Sequence, residues 1–249
     1  MIATKELDAV ASAVAAVLSN PKNSCLTQYK WPAHATPCKR DLTQNKKYRN
    51  NAPQAIASII EHLPPLSSSY SQADQLIDFR RQFSLAWNKI PSEDIDTKIA
   101  MYRWVTKTWG GISNNSNETL NTIVSEVDNG NPSHTSKKGI SSKSKCFAFT
   151  IPCNYFVYDS RISIALNKIV QTKLKTNWQF PIVTGRSAAY KEFIKTYNKS
   201  ANKEADYNDY CSLIKKIAKL MKNPYTGHDV QRIEFMLFMI GGCVNEIQI

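Results

Sequence analysis

The chain has 249 residues, of which 42% are hydrophobic and 21% charged, with only 8 glycines and a net charge of +12. That length supports one packed core, with or without a helical extension, and so little glycine argues against a turn-rich all-β protein. Neither G-x-G-x-x-G nor G-x-x-x-x-G-K-S/T occurs, which argues against phosphate-cradling glycine loops. The positive charge points to a polyanion, nucleic acid before an anionic membrane face.

Apolar residues recur with helical period along most of the chain. The opening stretch, MIATKELDAVASAVAAVLSN, carries Glu6 and Asp8 where a secretory leader is basic, so residues 3–18 are expected to form an amphipathic helix. Residues 20–52 are rich in Asn, Lys and Pro and lack a period, which reads as a long loop or arm. Further helices are expected at 53–63, 73–88, 93–108, 118–128, 143–150, 160–171, 187–198, 204–222 and 229–243. Ser71 near Asp74, Ser92 before Glu93 and Asp94, and Asp159 before SRISIAL supply helix starts. NNSN (114–117) and DNGNPSHTS (128–136) read as loops, and YFVY (155–158) is the one short stretch that could be a strand or a core-packed loop.

The expected fold class is therefore mainly α, with little or no β-sheet. Residues 1–65 would form a helical extension and loop on a core of residues 66–249, or the whole would be one compact domain. No run approaches the roughly 18 apolar residues of a membrane span, so no membrane partner is expected. The six cysteines form no C-x-x-C pair and the four histidines are scattered, which suggests reduced thiols in a cytoplasmic protein, with no metal site and no cofactor.

The charge is local. Between Asp128 and Glu192 lie ten lysines and arginines and a single acid, Asp159. Such a stretch suits a phosphate backbone. Within it, GISSKSKCFAF offers a turn of small residues, Gly139, Ser141 and Ser142, opening a helix whose first turn carries Lys143. Backbone N–H groups at such a turn hold phosphate. Lys138, Lys145 and Arg161 are the further phosphate candidates. Asp159 has two readings. As a helix N-cap it is structural; as a carboxylate among cations it is suited to stabilising positive charge. Lys143 likewise reads either as a phosphate contact or as a nucleophile.

The two motifs together resemble the helix-hairpin-helix DNA glycosylases, in particular the 8-oxoguanine-glycosylase-like branch. That family has a G-h-G-x-K hairpin followed by an apolar helix; this chain has Gly139-Ile140-Ser141-Ser142-Lys143, then Cys146-Phe147-Ala148-Phe149. The family places Asp at the start of the next helix within Y/L-D-S-R-V; this chain has Tyr158-Asp159-Ser160-Arg161-Ile162. The resemblance spans about 25 residues, with fainter likeness at TWGGI (108–112) and VQRIEFMLFMIGG (230–242). Ser141 stands where the hairpin's second glycine is usual, Lys143 and Asp159 are closer in sequence than in the animal enzymes, and no N-terminal β-domain is evident, so no particular base is implied.

The resemblance implies a helix-hairpin-helix fold, Lys143 at the nucleophile position and Asp159 at the catalytic carboxylate. The implied activity is excision of a damaged or modified base flipped out of DNA, leaving an abasic site, with lysine-dependent lyase activity open. Base-excision repair and defence against phage DNA with modified bases are the implied roles. Trp109, Phe149 and Tyr158 are the aromatic candidates for a base pocket. The expected partner is DNA, double-stranded with a flipped base or single-stranded, bound by a monomer in the cytoplasm or at a bacterial nucleoid. The alternatives are a non-catalytic DNA-binding protein using the same hairpin, and a metal-dependent nuclease, which would need the clustered carboxylates that this stretch lacks.

Overall fold

The computed structural model describes residues 3–23, 41–67, 69, 71–130, 139–174, 178–197, 203–221, 229–243 and 246. It is mainly helical. The α-helices are α1 (Thr4–Leu18), α2 (Lys46–Asn50), α3 (Gln54–His62), α4 (Gln72–Trp87), α5 (Ile95–Arg103), α6 (Asn117–Asp128), α7 (Ile140–Thr150), α8 (Ser160–Lys173), α9 (Ala188–Thr196), α10 (Tyr207–Met221) and α11 (Asp229–Gly242). A 3-10 turn spans Pro21–Asn23, and a π-helical stretch, Trp104–Trp109, continues α5. Among the described residues the only sheet is a parallel pair of two-residue strands, β1 (Trp178–Gln179) and β2 (Lys203–Glu204).

Local chemistry explains the starts. Ser71 and Asp74 form a capping box at α4: the Ser71 hydroxyl accepts from the Asp74 N–H and the Asp74 carboxylate accepts from the Ser71 N–H. Asp94, Ser116 and Ser187 cap α5, α6 and α9 one way, their side-chain oxygens accepting from the N–H groups of Thr97, Thr119 and Tyr190. The helix expected at 93–108 changes character at Trp104, where the turn widens and the Gly110 N–H reaches back to the Val105 carbonyl at 2.9 Å. Periodicity does not announce such a change of winding.

Contacts divide the chain into two compact units. One is Met1–Lys30, His134–Ser141 and Tyr158–Ile249; the other is Trp31–Ser133 and Ser142–Val157. Within the first unit, α1 packs on α10 and α8. Leu7, Val10, Val14 and Val17 are the buried side chains of α1 that this packing uses.

In the first unit α8 is the central helix, packed most extensively on α11. Gly241 makes that packing possible: a Cβ there would lie 1.9 Å from the Arg161 carbonyl oxygen. Buried Asn167 fixes the segment that follows. Its Nδ2 donates to the Ser163 and Phe180 carbonyls and its Oδ1 accepts from the Phe180 N–H. The chain thus runs back along α8, and Gly185 passes so near Ser160 that a Cβ would be 2.7 Å from it.

In the second unit an aromatic core joins α4, α5, the π-helical stretch and α7. Phe79, Phe83, Trp87, Tyr102, Trp104 and Phe149 are all buried, and their rings stack or meet edge to face, as at Trp87–Tyr102 (4.3 Å) and Phe83–Phe149 (5.6 Å). Polar atoms inside it are matched: the Tyr102 hydroxyl bonds Thr150 Oγ1 at 2.8 Å, Ser84 donates to the Thr150 carbonyl, and the Trp104 ring N–H donates to the Tyr48 carbonyl.

Candidate functional site

Asp159 sits at the N-cap of α8. Its Oδ1 accepts from the backbone N–H groups of Arg161 (3.0 Å) and Ile162 (3.2 Å). The structural reading of this residue is therefore present in the geometry. Both bonds fall on Oδ1, so Oδ2 carries neither. Two fixed N–H groups and the positive end of α8 hold one carboxylate in one orientation. Beneath it lie buried tyrosines: the rings of Tyr158 and Tyr210 meet at 4.8 Å. Burial first, and then nearby negative groups including Asp159, push both phenols well above their ordinary range.

Arg161 does not point freely outward. Its guanidinium lies over the Phe238 ring of α11 at 4.7 Å, and a Cβ at Gly242 would be 3.2 Å from its Nη1. This cation–π seat ties the charge to the α8–α11 packing.

In the second unit, Lys143 occupies the first turn of α7, as expected, although the helix begins at Ile140, three residues before the expected start. The turn before it is made by Gly139, whose φ of +78° is a conformation open to glycine. The Lys143 amine donates to Glu126 Oε1 of α6 at 2.6 Å, and the two side chains are 19% and 15% exposed. Glu126 Oε2 is buried with no hydrogen-bond partner among the described residues.

The remaining candidates separate by burial. Gly139 is exposed and Ser141 half-buried, whereas Ser142 (4% exposed) and Lys145 (5%) are enclosed. The helical turn of α7 carries them to its inner face, so the phosphate contacts expected of these two side chains meet groups turned away from solvent. Lys145 lies along Gly110, where a Cβ would come within 2.8 Å of its Cδ. Phe149 and Tyr158, expected near a flipped base, are core residues. Phe149 packs among Phe79, Phe83 and Trp109, and the Tyr158 hydroxyl donates to the Pro181 carbonyl at 2.6 Å. Trp109 is half-buried at the end of the π-helical stretch, edge to face with Phe149 at 4.8 Å. The structure thus brings Trp109, Phe149 and Lys145 together in one unit. Lys138 lies outside the described residues.

No protein-family model matches the chain, and no curated protein or solved structure matches it. The resemblance to glycosylases rests on the residues around Lys143 and Asp159 themselves. Among the described residues no three His, Cys, Asp or Glu side chains are grouped to hold a metal ion, Cys146, Cys153, Cys211 and Cys243 are unbridged, and no helix is long and apolar enough to cross a membrane.

Two partners escaped the sequence reading. Glu126 lies just outside the basic stretch and is 17 residues from Lys143, so only the folded arrangement of α6 and α7 reveals the pair. Phe238 is still farther from Arg161 in sequence. The one local hint was Gly241-Gly242, a pair of small residues at the end of an otherwise bulky helix.

Proposed function

We propose that the chain is a DNA glycosylase that acts on a damaged or modified base flipped out of DNA and leaves an abasic site. The observation that carries the reading is Asp159: a carboxylate fixed by two backbone N–H groups through one oxygen, the only acid in a stretch with ten cations. Cleavage of an N-glycosidic bond builds positive charge on the sugar, and a preoriented carboxylate lowers that barrier. Exposed cations of the same stretch, Lys173, Arg186 and Lys191, supply the grip on phosphates that base flipping needs. Base-excision repair and removal of modified bases from phage DNA are the two roles this chemistry serves.

The test is mass-spectrometric detection of free base after incubation with DNAs carrying a panel of modified bases. Release by the wild type, lost in Asp159→Asn with DNA binding retained, supports the reading.

A second reading, a non-catalytic DNA-binding protein, is favoured by one observation. Lys143 is engaged with Glu126, as a purely structural lysine would be. It predicts DNA binding with no base released from any of these substrates.

A further inference from the structure

The Lys143–Glu126 pair bears on which nucleophile a glycosylase of this kind would use, and the argument rests on the glycosylase reading above. A lysine attacks only through its lone pair. An ammonium that donates to a carboxylate has none to give until it leaves the carboxylate and loses a proton. Here leaving is opposed by the geometry. Glu126 Oε1 has Lys143 at 2.6 Å, and Oε2 is buried with no donor among the described residues. If Lys143 swung away, both oxygens of a carboxylate that is only 15% exposed would lack a donor among the described residues.

The site of Glu126 adds to this. It lies in the last turns of α6, where the negative end of the helix already disfavours an acid. Asp128, in the same turn, is likewise matched to a lysine, Lys98, at 2.6 Å. Each acid depends on its own cation.

We propose that Glu126 is a latch on Lys143 that selects water as the nucleophile, so that the enzyme releases base and stops at the abasic site. Glu126 is a positioning residue in this scheme; it acts through Lys143. Without the carboxylate the lysine becomes available for imine chemistry. Its ammonium gives a proton to solvent, the amine lone pair adds to the C1′ aldehyde carbon of an abasic sugar, and the carbonyl oxygen departs as water to leave a C=N bond. Borohydride then delivers hydride to that carbon and fixes the adduct as a secondary amine.

The test uses the full-length protein and a DNA duplex carrying a preformed abasic site, so it does not depend on knowing the base. Wild type and Glu126→Asp, which keeps the carboxylate, are expected to give little borohydride-trapped adduct. Glu126→Gln is expected to raise it by about tenfold, the scale of one hydrogen bond between charged groups that no longer holds the amine in place, and Glu126→Gln/Lys143→Gln to abolish the gain. A cooperative melt well above the assay temperature shows that Glu126→Gln is folded, and the return to wild-type trapping in the double variant excludes a gain by other lysines. Trapping by Glu126→Gln no higher than wild type, or a gain that survives Lys143→Gln, overturns the latch. Base release from modified DNA, measured beside it on the wild type, is a separate readout: its absence overturns the glycosylase reading, and the latch with it.

Discussion

The amine of Lys143 and the carboxylate of Glu126 meet at 2.6 Å across two successive helices, α6 and α7, with both side chains mostly withdrawn from water. A pair this enclosed contributes more when broken than an exposed one. Lys143→Met is expected to cost about 2 kcal/mol, between the values for exposed and fully buried pairs, because it strands a buried carboxylate. The double change Lys143→Met/Glu126→Met is expected to recover most of that loss, since an apolar pair of similar volume leaves no charge unmatched. Urea denaturation midpoints of the single and double variants check this. A double variant as unstable as the single one would show that Glu126 is not what Lys143 stabilises.

Gly241 sets the distance between α8 and α11. Gly241→Ala places a methyl group 1.9 Å from the Arg161 carbonyl oxygen, a backbone atom that has nowhere to go, and is expected to cost roughly 3 kcal/mol, at the upper end for overpacking. Gly242→Ala meets the end of the Arg161 side chain at 3.2 Å instead and is expected to cost less. Thermal melts of the two variants should differ in that order.

The helices were legible where their signals are local. Ser71 with Asp74, and Asp159 with the two N–H groups behind it, act within three residues, and both caps were visible as sequence patterns. α2 was not, because five residues with a single buried side chain, Tyr48, carry no period. The helix expected at 93–108 hid its π-helical end because apolar spacing does not report a change of winding. At the candidate site, Asp159 and Lys143 were found as residue types. Their neighbours were not: Glu126 and Phe238 reach their partners through helix packing, and the inward turn of Ser142 and Lys145 follows from where α7 meets its unit's core.

Asp41 gives the protein a specific acid sensitivity. Burial opposes its charge, but hydrogen bonds from the side chains of Thr43 and Gln75 and from the backbone N–H groups of Thr43 and Gln44 outweigh burial and hold its carboxyl below the ordinary 3.8. Gln75 in turn accepts from the Leu42 N–H, so this carboxylate anchors the chain entering α2 onto α4. With the folded value depressed, the stabilisation is fully present above pH 3.8 and is lost as pH falls through the folded value. Asp41→Asn is therefore expected to be less stable than the wild type near neutral pH, with the gap narrowing in acid below pH 3.8. Denaturation curves of both proteins from pH 6 down to about pH 2 measure it; a gap that stays constant would mean that the charge of Asp41 contributes nothing.

At Asp159 the helix-cap role and the proposed catalytic role can be separated by one atom. Asn keeps an oxygen in the Oδ1 position and remains a good N-cap, whereas Ala removes the acceptor for both the Arg161 and Ile162 N–H groups. Asp159→Ala is expected to lose about 1 kcal/mol of stability, and Asp159→Asn only a few tenths. A cap-only residue would show loss of function, if any, in proportion to that stability. A charge-stabilising carboxylate behaves otherwise: Asp159→Asn should be folded, bind DNA as the wild type does, and release base at least about a hundredfold more slowly, the usual scale for losing one preoriented electrostatic group. Melting temperature, DNA affinity and base release measured on the two variants decide between these. If Asp159→Asn released base at the wild-type rate, Asp159 would be a helix cap and nothing more.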